Sequence, residues 1–167
     1  MGYTRRKFSA LTSIGLVSLA GCVGLGNSGP SSEAQSAART YNDGIDLYEQ
    51  ALGTRGDAAD AWEVEDFNEA ENLYNESEQL YESAADRFDD AQNDADGCES
   101  VRESASDMSA HCFTSSRAMS AYAQAANQYA DGNYDEGDEF FEEAQQADEE
   151  SGEYPVNPEL DPDDLNC

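Results

Sequence analysis

Cys98, His111, Cys112 and Cys167 are the side chains of this 167-residue chain best suited to metal or covalent chemistry. Thiolate and imidazole groups together could hold zinc, and cysteines alone could form disulfides. His111 is the only histidine, so no imidazole pair exists for a metalloenzyme. It adjoins Cys112, and if Cys112 faces a helical seam His111 points off it, to the surface. Cys98 and Cys112 are fourteen positions apart. On one continuous helix that is ~21 Å of rise, and a disulfide needs Cα atoms within roughly 7 Å. They cannot pair with each other unless that helix breaks.

Oxygen donors form a second constellation. Gln92, Asp94, Asp96, Gly97 and Glu103 have the spacing of a calcium loop of the EF-hand type. Asp94 and Asp96 would supply oxygens, Gly97 the sharp turn and Glu103 a bidentate carboxylate. Gln92 stands where that loop has Asp, and Glu99 where it has an aliphatic residue, so a polar interhelical turn is the reading preferred here. Asn75-Glu76-Ser77 is an N-glycosylation sequon whose Asn75 is expected to face outward. No nucleophile–base pair stands out, and among 37 acids no single carboxylate pair is informative. The chain is read as non-enzymatic, with no cofactor.

The N-terminus carries an address. Arg5, Arg6 and Lys7 precede an apolar run from Ala10 to Ala20 that ends at Gly21-Cys22. Spanning a bilayer takes roughly 20 apolar residues, so this run reads as a cleavable export signal. Thr4-Arg5-Arg6-Lys7-Phe8 resembles the twin-arginine signal. Leu19-Ala20-Gly21-Cys22 resembles a lipobox, which implies cleavage before Cys22 and lipidation of its sulfur. Residues 1–21 are thus expected to be removed. Residues 22–32, rich in Gly, Ser and Pro, are expected to form a flexible linker. The implied location is the outer face of the cell membrane, with the lipid on Cys22 as the membrane contact.

Charge fits a particular habitat. The chain has 8 Lys+Arg against 37 Asp+Glu. Without Arg5, Arg6 and Lys7, five arginines oppose all 37 acids, a formal charge of −32. Such self-repulsion opposes compaction in dilute salt and is screened in molar salt, where the Debye length is about 3 Å. Acid-rich, lysine-poor sequence behind this type of signal resembles exported proteins of halophilic archaea. Nucleic acid is excluded as a partner for want of a basic surface.

The elements that must position these residues are helices. The first is expected over about 32–52, with Ala34, Ala38, Tyr41, Ile45, Tyr48 and Leu52 on one face, then a turn at Gly53–Gly56. The second runs from about 57 or 65 to 94. Phe67, Tyr74, Tyr81 and Phe88 recur every seven residues and alternate with Ala70, Ser77, Ala84 and Ala91, a large–small seam. The third runs over about 98–131 with Cys98, Val101, Ala105, Met108, Cys112, Ser115, Met119, Tyr122, Ala126 and Tyr129 inward. The fourth spans about 134–149. Short turns favour antiparallel neighbours. The expected fold is an all-α, up-down bundle of about four helices over 33–150, two of them long and central. Pro155, Pro158 and Pro162 leave residues 151–167 as an extended acidic tail.

In an exported protein the cysteines favour disulfides over zinc. The fourth helix would end near Cys112, and a tail continuing in the same direction would reach Cys98. Cys98–Cys167 is therefore the favoured bond, Cys112–Cys167 the alternative, and the absence of a bond also stays open. Asp66-Phe67-Asn68-Glu69-Ala70 with Tyr74, and Gly132-Asn133-Tyr134-Asp135-Glu136-Gly137 with Phe141 and Ala144, resemble the second helix of a tetratricopeptide repeat. Gly137 replaces that family's Ala and Glu65 its Gly, and no 34-residue period runs through the chain. The functional expectation is an interaction or scaffolding protein with a protein partner at the envelope. A tetratricopeptide-like adaptor that binds a peptide is one alternative, and a cation- or solute-binding lipoprotein is another.

Overall fold

The structure, a computed structural model, describes residues 30–165 and 167. The export signal, Arg5, Arg6, Cys22 and most of the linker lie outside the described residues. Four helices follow in order: α1 (Ser32–Glu63), α2 (Phe67–Asp94), α3 (Glu99–Ala130) and α4 (Tyr134–Ser151). Each packs on its neighbours in the chain, giving an all-α up-down bundle.

α1 corrects the expected C-terminal boundary. It begins at Ser32, as expected, where the Ser31 hydroxyl accepts a hydrogen bond from the Ala34 amide at 3.1 Å. It then runs 32 residues through Gly53 and Gly56 without a turn. Two glycines cost a helix about 1 kcal/mol each, but Ala51 and Ala58 lie buried in the core on either side of them, and that packing decides. Leu52, expected inward, is 41% exposed, and Ala51 takes its place. The break comes at Val64–Asp66, where Glu65 adopts φ 62° and the Asp66 carboxylate caps α2. Three helices, not two, are therefore long.

The seams of α2 and α3 lie as expected. Tyr74, Tyr81, Phe88, Met108, Cys112, Met119 and Tyr122 are buried. Tyr41 packs on Phe88 with ring centroids 5.1 Å apart. Phe67 and Tyr129, at the far end of the seams, are half-buried and stack on each other at 5.3 Å. Trp62 joins Phe67, Tyr74, Tyr129 and Phe141, with centroids 5.2–6.2 Å apart. This knot closes the end of the bundle at the α1–α2 and α3–α4 turns. Gly137 belongs to it: a Cβ there would lie 3.2 Å from the Tyr129 ring, a tight contact.

α4 has 18 residues, little more than half the length of α3. The tail covers the remaining length of the bundle and ends in a Cys98–Cys167 disulfide. Cys112 is free and buried, which removes the Cys112–Cys167 alternative. The bond spans 69 positions, worth on the order of 4 kcal/mol in the chain-entropy account. Cys167→Ser should lower the unfolding free energy by about that amount in denaturant titrations. The difference should vanish when both proteins are measured in reductant.

Candidate functional site

Two places in the bundle collect polar groups: a layer at mid-height and the groove that holds the tail. The layer is built on α1 and α4, whose backbones do not touch but whose side chains do. Arg55 of α1 forms an ion pair with the Asp148 carboxylate of α4. The Tyr122 hydroxyl donates to the same carboxylate oxygen at 3.4 Å. Asp148 Oδ1 and the Tyr81 hydroxyl are buried without a well-formed hydrogen bond. Burial is the largest influence on Arg55 and opposes its charge, but the Asp148 carboxylate together with the Tyr81 and Tyr122 hydroxyls outweighs it and raises the guanidinium pKa.

His111 corrects its expected surface position. It is buried, edge-on to Tyr48 at 5.5 Å, and its Nδ1 lies 2.9 Å from the Ser151 carbonyl oxygen. A carbonyl only accepts, so Nδ1 carries the proton and donates. Helix α4 ends at Ser151, and its carbonyl accepts both the imidazole and, at 3.2 Å, the Tyr154 amide of the following turn. Burial lowers the His111 pKa from its ordinary value of 6.5, despite the opposing pull of this hydrogen bond. The folded state thus resists the proton that the unfolded chain accepts. The His111 contribution to stability is intact above pH 6.5 and is lost as pH falls through the lowered folded value. His111→Gln should flatten that part of the stability–pH profile in urea titrations between pH 7 and 5.

The chemistry open to the layer follows from the direction of its shifts. Desolvation pushes the Cys112 thiol up to about 12 and the Tyr74 hydroxyl likewise to about 12. Tyr41, Tyr81 and Tyr122 are raised further, again chiefly by burial. These groups are held in their neutral forms. A nucleophilic thiol needs the opposite shift.

The groove lies between α1 and α3, beyond the end of α4. The Tyr41 hydroxyl donates to the Asn157 carbonyl at 3.1 Å. Asn42 donates from Nδ2 to the Leu160 carbonyl at 2.8 Å and accepts the Leu160 amide at 2.9 Å. The Asn157 amide lies 3.3 Å from the Met108 sulfur. Leu160 packs on the main core and on a second cluster of Ala34, Ala37, Ala38, Ala95, Cys98 and Val101.

The calcium-loop residues are not brought together. Gln92 and Asp94 are the last turn of α2, while Glu99 and Glu103 are helical in α3. Only residues 95–98 are left as loop, too few for a 12-residue cation loop. Gly97, with φ 76°, does make the sharp turn. Among the described residues no three His, Cys, Asp or Glu side chains are grouped to hold a metal ion. The cysteines and His111 do not form a zinc set, since Cys98 and Cys167 are bonded. Asn75 is half-buried and lines a surface cleft with Glu71 and Asn127, and the Ser77 hydroxyl is buried, donating to the Ala51 carbonyl at 2.9 Å.

A surface cleft of about 650 Å³ between α2 and α3 is lined by Glu82, Asp86, Asp89 and the exposed Phe113. Ser109 donates to Asp89 at 2.5 Å within it. No described helix is long and apolar enough to cross a membrane. The residues that sequence reasoning missed are Arg55, Trp62, Asn42 and Asp148. The first two carry a readable signal, because Ala51, Arg55, Ala58 and Trp62 step by 4, 3 and 4 on one helical face. Compared with known protein families, with curated proteins and with solved structures, the chain matches none.

Proposed function

We propose that this protein is a lipid-anchored, non-enzymatic helical module of the outer cell surface that acts by interaction or scaffolding. The observation that carries the reading is the Cys98–Cys167 disulfide. Structural disulfides belong to oxidising compartments, and the export signal and lipobox at residues 5–22 supply the route there. The bond is independent of the signal, so two separate features of the chain favour the same location. The chemistry of the interior favours scaffolding over solute binding: its polar groups include an ion pair, neutral Tyr, Cys and His side chains, and buried hydroxyls such as Ser77 that bond within the fold. Partner contact then falls to the outer surface, where Phe113 of α3, Val64 of the α1–α2 turn and Tyr134 at the start of α4 are exposed.

Fractionation tests the reading. The wild-type protein should sediment with membranes and be digested by protease added to intact cells. Changing Arg5 and Arg6 together to Lys should leave the protein inside and protected. Soluble wild-type protein, protected inside intact cells, would refute the proposed location.

A further inference from the structure

We propose that the α1–α3 groove is a receptor for extended chain, able to take residues 153–167 of a second copy of this protein in place of its own. The occupant whose fit the structure displays is the tail itself. Its recognition is almost entirely of backbone. Asn42 offers one carbonyl and one amide group to Leu160, as the edge of a β-strand would, and Tyr41 takes the Asn157 carbonyl. Two side chains anchor it, Leu160 in both apolar clusters and Leu165 in the second. None of these contacts depends on the tail and the groove sharing a chain.

The connection permits exchange. From Cys98 to His111, α3 rises about 20 Å. The sixteen residues after Ser151 could span about 53 Å fully extended. The tail thus has slack over the distance it covers, and Gly152, Glu153, Pro155 and Val156 at its start are exposed. Once the tail crosses, Cys98 of one copy meets Cys167 of the other. Each bond forms by loss of two protons and two electrons from two thiols to a small-molecule disulfide, through a mixed disulfide. Closure within one chain competes through its high effective concentration, so exchange belongs to crowded copies. Glu153, Glu159, Asp161, Asp163 and Asp164 make the arriving tail acidic, so it needs salt to approach an acidic bundle.

The experiment mixes full chains carrying Cys98→Ser and Cys167→Ser in a glutathione redox buffer at molar salt. Neither can close its own bond. The expected product is a heterodimer whose linked peptides contain Cys98 and Cys167, exceeding every other interchain cysteine combination in the mixture by about tenfold. Leu160→Asp in the Cys98→Ser chain should cut the yield several-fold. That change lies in the donated tail and leaves the accepting bundle intact. Asn42→Ala in the Cys167→Ser chain should do the same, with helicity checked by circular dichroism. Absence of the Cys98–Cys167 interchain peptide would overturn the proposal. So would an undiminished yield with Leu160→Asp, since the bond would then come from random thiol encounter.

Discussion

Phe88→Ala is expected to lower the unfolding free energy by about 3–5 kcal/mol, the range for truncating a fully buried aromatic ring. Phe88 is 0% exposed and sits at the α1–α2 interface against Tyr41. The reason it fits is Gly44. A Cβ at that position would lie 2.8 Å from the Phe88 ring, closer than any stable contact. Gly44→Ala should therefore destabilise the protein, although in a free helix the same change stabilises by about 1 kcal/mol. The two sites must couple. Gly44→Ala should be tolerated better in the Phe88→Ala background than in the wild type, a non-additivity that a double-mutant cycle reads directly. Urea titrations of the four proteins supply the numbers. Additive effects would mean that α1 and α2 do not meet at this pair.

Removing salt should be the second large effect. The charge of −32 is barely offset within the fold: among the described residues four Arg–acid pairs are found, three of them between largely exposed side chains. Exposed pairs contribute about 0–1 kcal/mol each. No described helix has a basic residue in its last turn, and the last turn of α4 carries Asp148, Glu149 and Glu150, against its own dipole. All of these repulsions are screened when the Debye length falls from about 10 Å at 0.1 M to 3 Å at 1 M salt. Circular dichroism across a salt series should show helicity and melting temperature falling together as molar salt is withdrawn. Full helicity and an unchanged melting temperature at ~0.1 M salt would sink the halophilic reading.

The heptad of Phe67, Tyr74, Tyr81 and Phe88 and the unbroken 3–4 spacing from Cys98 to Tyr129 were legible because periodicity reports burial directly. The disulfide followed from chain direction: α4 descends along α3, and a tail that continues downward arrives at Cys98. The α1 boundary was not legible from Gly53 and Gly56, because glycine marks a helix end only where nothing packs across it. Ala51 and Ala58 pack there, and the true break falls on Glu65, a residue with no turn preference. His111 was misplaced because periodicity within α3 sees one seam. The other face of that helix is covered by Tyr48 and by the end of α4, contacts far apart in sequence. Asn42 and its grip on Leu160 leave no local signature, since a single Asn on a helix usually faces water.

The central claim is that Cys22 anchors this bundle to a membrane, and the mass of the mature N-terminus tests it most directly. Protein extracted in detergent from membranes of the native host should begin at Cys22, lack residues 1–21 and carry a lipid on the Cys22 sulfur. Cys22→Ser should yield either unprocessed precursor or protein released from the membrane. A wild-type N-terminus elsewhere, an unmodified Cys22 thiol, or a Cys22→Ser protein processed and membrane-bound like the wild type would contradict the account.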